Sequence, residues 1–184
     1  MKKQKIKEAA LKLLIQNGLH ATPMSAIAKA ANTGMGTIYN HFATKEILIN
    51  AIYLDIKEQL ETLMREPSHQ PTIKAQFEHY YRLVTSFYLE QPDYFKFMDQ
   101  LQSSPIISEE TRAEGYKTMY PVISILKKGQ QEGIIKDMEI DVLLQFVGGT
   151  VLAHLAWLIN GDSAKTKKSS LNDQLRLVWD AIKQ

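Results

Sequence analysis

The sequence predicts an all-α protein of about nine helices, and three observations predict it. Apolar residues recur three and four positions apart along nearly the whole chain, which is the period of one helix face. No stretch alternates with the two-residue period of a strand over a useful length; the pair Ile134 and Ile135 is too short to count. Glycine, proline and small polar residues fall between the periodic stretches, where helices start and stop. With 184 residues, 45% of them hydrophobic and 23% charged, the chain is long enough for one or two domains with a real core.

In the first helix Ile6, Ala9, Ala10, Leu13 and Leu14 form one face, and Gly18 stops it. Thr22 and Pro23 then offer an N-cap and a proline at the first helical position. Ile27, Ala28 and Ala31 give the second helix a small apolar face, and Asn32, Thr33 and Gly34 make a turn. Thr33 is the expected cap of a third helix, which buries Ile38 and Phe42. Thr44 caps a long fourth helix whose apolar positions Leu48, Ile52, Ile56, Leu60 and Met64 recur every four residues. A loop from Pro67 to Pro71 ends it.

A fifth helix is expected from about Thr72 to Glu90, where Pro92 interrupts, and a short aromatic segment, DYFKFMDQL, follows. Ser103, Ser104 and Pro105 break the chain again. Ser108 with Glu109 and Glu110 starts the next helix, because a hydroxyl cap and two carboxylates suit the positive end of the helix dipole. That helix is expected to run to Glu132, with Gly133 closing it. Two more are expected, Asp141 to Asn160 and Ser170 to Lys183, joined by a linker containing Lys165, Thr166, Lys167 and Lys168. No internal repeat is evident. The helices read as a small N-terminal bundle, residues 1–47, joined to a larger one, residues 48–184.

Charge divides the chain in the same place. Residues 1–47 carry seven lysines against Glu8 and Glu46, a net charge of +5, which leaves −3 for the rest of a chain whose total is +2. A basic head on an acidic body suits a polyanion as partner, although a solvated lysine-rich tail has the same composition. There is no cysteine, so neither a disulfide framework nor a thiolate metal site is possible, which suits a reducing cytoplasm. The N-terminus is basic but lacks the uninterrupted apolar core and cleavage site of a signal peptide. The longest apolar run, Val142 to Ile159, is broken by Gln145, Gly148, Gly149, Thr150 and His154. It reads as a buried helix and not as a membrane span.

Two short helices around a tight turn, from Thr22 to Lys45, form a helix-turn-helix pattern. In that arrangement the second helix enters the major groove of duplex DNA. Here it spans Thr33 to Phe42, and its groove-facing candidates are Gly34, Met35, Thr37, Tyr39 and Asn40. Thr37 and Asn40 can hydrogen-bond base edges or phosphates, and Met35 can pack on a thymine methyl. Gly34 and Gly36 each lower helix propensity by roughly 1 kcal/mol. That cost makes sense where backbone must approach another surface closely. Tyr39 and His41 are further candidates, or else they cover the small core. Backbone amides behind Thr22 and the ammonium of Lys45 are candidate phosphate grips, which set register without reading sequence.

The stretch from Ile6 to Ala51 resembles the DNA-binding domain of the TetR family of bacterial transcriptional regulators. The matching pieces are IKEAALKLLIQNG, Thr22, IAKAAN and GTIYNHFATKEIL. The C-terminal part is similar only in helix count, length and the EGIIKD turn before the penultimate long helix. The resemblance implies phosphate contacts at Thr22, Tyr39, His41 and Lys45, and a recognition turn and helix at Thr33, Gly34, Met35, Thr37 and Asn40. Family members often carry serine where this chain has Gly34 and a basic residue where it has Met35. The departure removes a guanine or phosphate contact, so no operator sequence can be borrowed from relatives.

Helix-turn-helix operators are usually read by two-fold dimers. For the dimer face the expectation rests on Phe146, Gly149 and Ala153, where small residues let helices approach, and on Leu175, Val178 and Trp179 of the last helix. The resemblance implies that these two helices pair with their mates in a four-helix bundle; the residues alone fit a monomer core equally well. Tyr80, Tyr81, Phe87, Tyr88, Phe95, Met98, Tyr116, Tyr120, His154 and Trp157 are candidate walls of an effector pocket, since tyrosine supplies apolar surface and a polar tip together. A row of aromatics at helical spacing is also ordinary core. Arg82 and Arg112 are the nearest cations in sequence, which points to a hydrophobic or aromatic effector and away from a strongly anionic one.

The expected function is therefore a regulator that binds a palindromic operator as a homodimer and is released by a small molecule. In the alternative the body senses a protein partner or no ligand. An enzyme is not expected. The five histidines form no H-E-x-x-H pair, and there is no G-x-S-x-G, no P-loop and no glycine-rich dinucleotide turn. No cofactor or metal is expected, and no membrane partner.

Overall fold

Ten α-helices make up the described residues of the computed structural model, which are 2–66, 68–102, 104–160 and 167–184. The breaks expected at Pro67 and Ser103, and Lys165 and Thr166 of the linker, lie outside the described residues. The helices are α1 (Lys2–Asn17), α2 (Met24–Ala30), α3 (Met35–His41), α4 (Lys45–Met64), α5 (Ile73–Glu90), α6 (Pro92–Leu101), α7 (Glu109–Tyr116), α8 (Tyr120–Gln131), α9 (Ile140–Asn160) and α10 (Lys167–Ile182). A 3-10 turn, Lys117–Met119, joins α7 to α8. α7, this turn and α8 follow one another where a single helix is expected from Ser108 to Glu132. The interruption has a local cause. Pro121 has no N–H for the carbonyl of Lys117, and its ring crowds that turn, so the backbone tightens before it.

Several helix ends follow the expected chemistry. Thr44 Oγ1 accepts from Ile47 N at 3.2 Å, and Ser108 Oγ accepts from Thr111 N at 3.2 Å. After α8, Gly133 takes φ +66°, Ile134 N donates to Gly129 O at 2.8 Å, and Gly133 N donates to Gln130 O at 3.0 Å. This is a Schellman closure, and its glycine avoids the strain a Cβ meets at positive φ. Two caps differ from expectation. The residue before α2 is Pro23 and the one before α3 is Gly34, and neither helix has a side-chain cap.

The chain forms two compact units. The first comprises Met1–Gln59 and Gln91–Lys117. In it α1 packs on α2 and α6, and α2 packs on α3. Its core includes Ile6, Ala10, Leu14, Ile27, Ile38, Phe42, Leu48, Ile52, Phe95 and Phe97. Side chains of this size contribute about 1.5–3 kcal/mol each when fully buried. Asn50 ties the approach to α7 onto α4, donating to Ile106 O at 2.8 Å and accepting from Ser108 N at 3.0 Å. Lys7 of α1 pairs with Asp55 of α4.

The second unit comprises Leu60–Glu90 and Thr118–Gln184. Here α5 packs against α8, α9 and α10. Phe77 meets Trp179 with ring centroids 5.8 Å apart, and Leu126, Leu143, Leu155, Leu175 and Ile182 are also buried in this unit. Ile134 and Ile135 form no strand; Ile135 makes an isolated antiparallel bridge with Lys183. α9 is long and apolar enough to cross a membrane by length and composition. In this fold it buries Leu143, Val147, Val151, Leu155 and Leu158, while Val142, Phe146, Gly149, Ala153 and Trp157 make an exposed stripe along its other side.

Candidate nucleic-acid interface

The reading head is built by α2, α3 and the turn between them. Ala28, Ile27 and Ile38 are buried, which turns the opposite side of α3 to solvent. The turn closes on Asn32, whose φ of 49° lies in the left-handed region. Thr33 N donates to Ala28 O at 3.0 Å and Asn32 N to Lys29 O at 3.1 Å. This Schellman closure stops α2 within one residue and redirects the chain into α3. Asparagine is among the few side-chain-bearing residues that tolerate that backbone.

Gly34, Met35, Tyr39, Asn40 and His41 are exposed, with Met35 at 38% and Tyr39 at 48%, while Thr33 and Thr37 are half-buried. A Cβ at Gly34 or Gly36 would meet nothing within 4 Å, and neither has positive φ. Nothing inside the protein therefore asks for glycine at these positions. Lys45 is half-buried, and its ammonium donates to His20 O at 3.2 Å, which holds it beside the head. The Lys3 ammonium lies 5.7 Å from the centroid of the Phe42 ring. At the start of α4 the Glu46 carboxylate accepts hydrogen bonds from its own backbone N–H and the Thr44 side chain, which lowers its pKa.

Thr22 needs a correction. It is fully buried, and its hydroxyl donates to Gly18 O at 2.9 Å and Leu13 O at 3.2 Å. The side chain thus satisfies the carbonyls at the end of α1 instead of capping α2 or facing solvent. It ties the segment before α2 to the C-terminal end of α1. Thr33 likewise does not cap α3.

The expected dimer residues divide. Phe146, Gly149 and Ala153 are on the exposed stripe of α9. Leu175, Val178 and Trp179 are buried inside the protomer, where Trp179 meets Phe77 and the Lys74 ammonium lies 6.0 Å from its ring. The apolar face of α10 is used by the chain's own core. Leu177, 64% exposed, is the large apolar residue that α10 presents outward. The signal for the α9 stripe was legible in the spacing of 142, 146, 149, 153 and 157.

The expected pocket residues divide as well. Tyr80, Tyr81, Phe87 and Tyr88 are buried on α5. Tyr80 donates its hydroxyl to Glu66 O at 3.3 Å. Tyr81 bonds Thr150 Oγ1 at 3.2 Å, and because Thr150 donates to Val147 O at 2.7 Å, Tyr81 is the donor. Burial raises its pKa. These two phenols serve the core. Phe95 is buried and Met98 half-buried on α6, whereas Tyr116, Tyr120 and Trp157 are exposed. His154 is buried with Nε2 unpartnered, and burial lowers its pKa. His154 and Trp157 line an open groove of about 440 Å³ with Ala153, Ser170, Asp173, Gln174 and Leu177, so they belong to the α9–α10 side and not to the tyrosines of α5.

Sequence reasoning missed Lys57. It is on α4, one turn after Tyr53, with its ammonium 5.7 Å from the Tyr53 ring centroid. Burial lowers its pKa to about 8. Burial also raises the pKa of Tyr53, with Arg112 opposing. Among the described residues no group of three or more histidine, cysteine or acidic side chains could hold a metal.

A buried two-helix scaffold that presents one polar, partly glycine helix face defines a helix-turn-helix protein. Residues 6–52 match the model of the bacterial regulatory proteins of the tetR family, and residues 53–184 match that of the tetracyclin repressor-like C-terminal domain. The chain belongs to the TetR family. It is 41% identical over 63 residues to the HTH-type transcriptional regulator UidR of Escherichia coli K12, a match covering 34% of this chain and about a third of that relative, 32%. It is 27% identical over 196 residues to the fatty acid metabolism regulator protein of Bacillus subtilis, covering 98% of this chain and 95% of that one. A TetR-family regulator from Shewanella sp. PV-4 shares the fold with a TM-score of 0.91 at 22% identity, over 100% of this chain and 99% of that one.

Proposed function

We propose that the chain is a cytoplasmic transcriptional repressor that binds a palindromic operator in duplex DNA as a homodimer and is released by a small apolar effector. The observation that carries the DNA reading is the split of α3. Ile38 is fully buried while Met35, Tyr39 and Asn40 on the same helix face solvent. Family membership supports it, as does the +5 charge of residues 1–47. Thr37 and Asn40 are assigned to base edges, and Tyr39, His41 and Lys45 to phosphates.

Dimerisation draws support from the exposed α9 stripe, with Phe146 at 43%, and from Leu177 on α10. An effector that loosens DNA binding must favour one of two conformations of the body; two reading heads need a spacing of roughly 34–36 Å to enter successive major grooves. The aromatic content of the body and a relative named for fatty acid metabolism support an apolar ligand. The internally bonded hydroxyls of Tyr80 and Tyr81 favour a second reading, in which that part of the body is filled core and the sensor responds to a protein or to nothing.

Fluorescence anisotropy with a labelled operator duplex at increasing salt tests the DNA reading. Each phosphate contact should contribute a slope of about −0.9 in log affinity against log salt. Affinity that is flat in salt would contradict it.

A further inference from the structure

Lys3 stands where the core of the reading head would take an apolar residue. It falls three, seven and eleven positions before Ile6, Ala10 and Leu14, the buried face of α1. Its side chain stays exposed all the same, with the ammonium 5.7 Å from the centroid of the buried Phe42 ring. A lysine at the rim of a core lays its stem over apolar surface and leaves its charge in water. Here the ring also fixes where that charge is held. Phe42 is the residue that ends α3, directly after His41.

No carboxylate of the head claims the charge. Glu8, the one acidic residue of α1, accepts from Gln4 Nε2 at 3.1 Å, and Asp55 of α4 is taken by Lys7. Among the described residues no ion pair or hydrogen bond reaches the Lys3 ammonium. The body treats its cations differently: Arg65, Lys74, Lys128, Arg176 and Lys183 each pair with a carboxylate three or four residues away. An uncompensated charge held beside the end of α3 suits a polyanion outside the protein.

We propose that Lys3 is a further phosphate grip of this regulator: its ammonium, held over the Phe42 ring, takes a backbone phosphate of the operator at the end of α3. The assignment rests on the DNA reading above and adds a contact from α1, outside the helix-turn-helix itself. A helix in the major groove is flanked by the two phosphate strands, so a cation at its end meets phosphate and not base edges. Lys3 therefore adds affinity for any duplex and does not choose the sequence.

Fluorescence anisotropy across a salt series tests it, with the full chain, Lys3→Met, Lys3→Arg and Lys12→Met on a selected operator duplex and an unrelated one. Methionine keeps an apolar stem over the ring and removes the charge; arginine keeps both. Lys12 is exposed on the same helix, nine residues further on, and reports the loss of one positive charge as such. K3M should lower the slope of log affinity against log salt by about 0.9, and weaken both duplexes alike by roughly five- to tenfold at 0.1 M salt. K3R should restore both, and K12M should leave the slope in place. The slope counts phosphates and not the folded fraction, so it stays diagnostic if K3M is less stable. An unchanged slope in K3M, a loss confined to the operator duplex, an equal loss in K12M or a K3R that restores nothing overturns the phosphate grip and leaves the DNA reading standing. A wild type whose affinity is flat in salt overturns the DNA reading and this assignment with it.

Discussion

Gly36 and Ile38 are two residues apart on α3 and answer to different partners. Ile38 is buried, so its identity follows from the head's own core. Gly36 faces open space with an ordinary φ, and no internal contact explains it. Gly36→Ala should raise stability by about 0.5–1 kcal/mol in urea denaturation, because alanine is the better helix former, and should weaken DNA binding. A stabilised variant with unchanged DNA affinity would show that no surface approaches there. Lys57 gives a second test. Its folded pKa of about 8 is below the ordinary 10.5, so the unfolded chain binds more protons between those values. Stability should therefore rise as pH climbs from about 8 towards 10.5, by about 3 kcal/mol from this group alone. Below pH 8 the cost is fully present. Thermal unfolding of Lys57→Met should lose that rise and give a more stable protein at pH 7. At this scale the sequence showed which residue types occupied the head, but not that Thr22 turns inward. A hydroxyl before a proline caps a helix in one geometry and closes the preceding helix in another, and only the path of α1 decides between them.

Helix ends were the most legible elements. Thr44, Ser108 and Gly133 act where their chemistry placed them, because caps are local. The turn between α2 and α3 depends on Asn32 at φ 49°. Asn32→Gly should be neutral or slightly stabilising, and Asn32→Ala should cost about 1 kcal/mol by urea denaturation, since alanine resists the left-handed region. Equal stability of the two variants would mean the turn relaxes to another form. Pro121 was passed over because the sequence on both sides remains helical in pattern; its effect is a 3-10 turn, not a loop. The face of α10 was left open between dimer seam and monomer core for a different reason. Leu175, Val178 and Trp179 show that a stripe is buried, but periodicity does not say against what, and here α5 of the same chain covers it.

On the scale of the whole molecule, all-α class was legible because helical periodicity persists through both units, and the head was legible because its motif is dense. The division of the body between core, effector site and dimer face was not, since all three ask for apolar helix surface. The exposed stripe of α9 makes the dimer testable. Phe146→Lys should leave the protomer folded, because the side chain faces outward, and should shift sedimentation from dimer to monomer while weakening operator binding. A Phe146→Lys dimer of unchanged affinity would remove α9 from the interface. The central claim is that α3 reads duplex DNA as one of a symmetric pair. Selection of bound sequences from a random duplex pool by the intact protein, followed by sequencing, tests it most directly. The account predicts a two-fold symmetric motif whose preferred bases change in Thr37→Ala and Asn40→Ala. A pool without enrichment, or a motif that neither substitution alters, would contradict it.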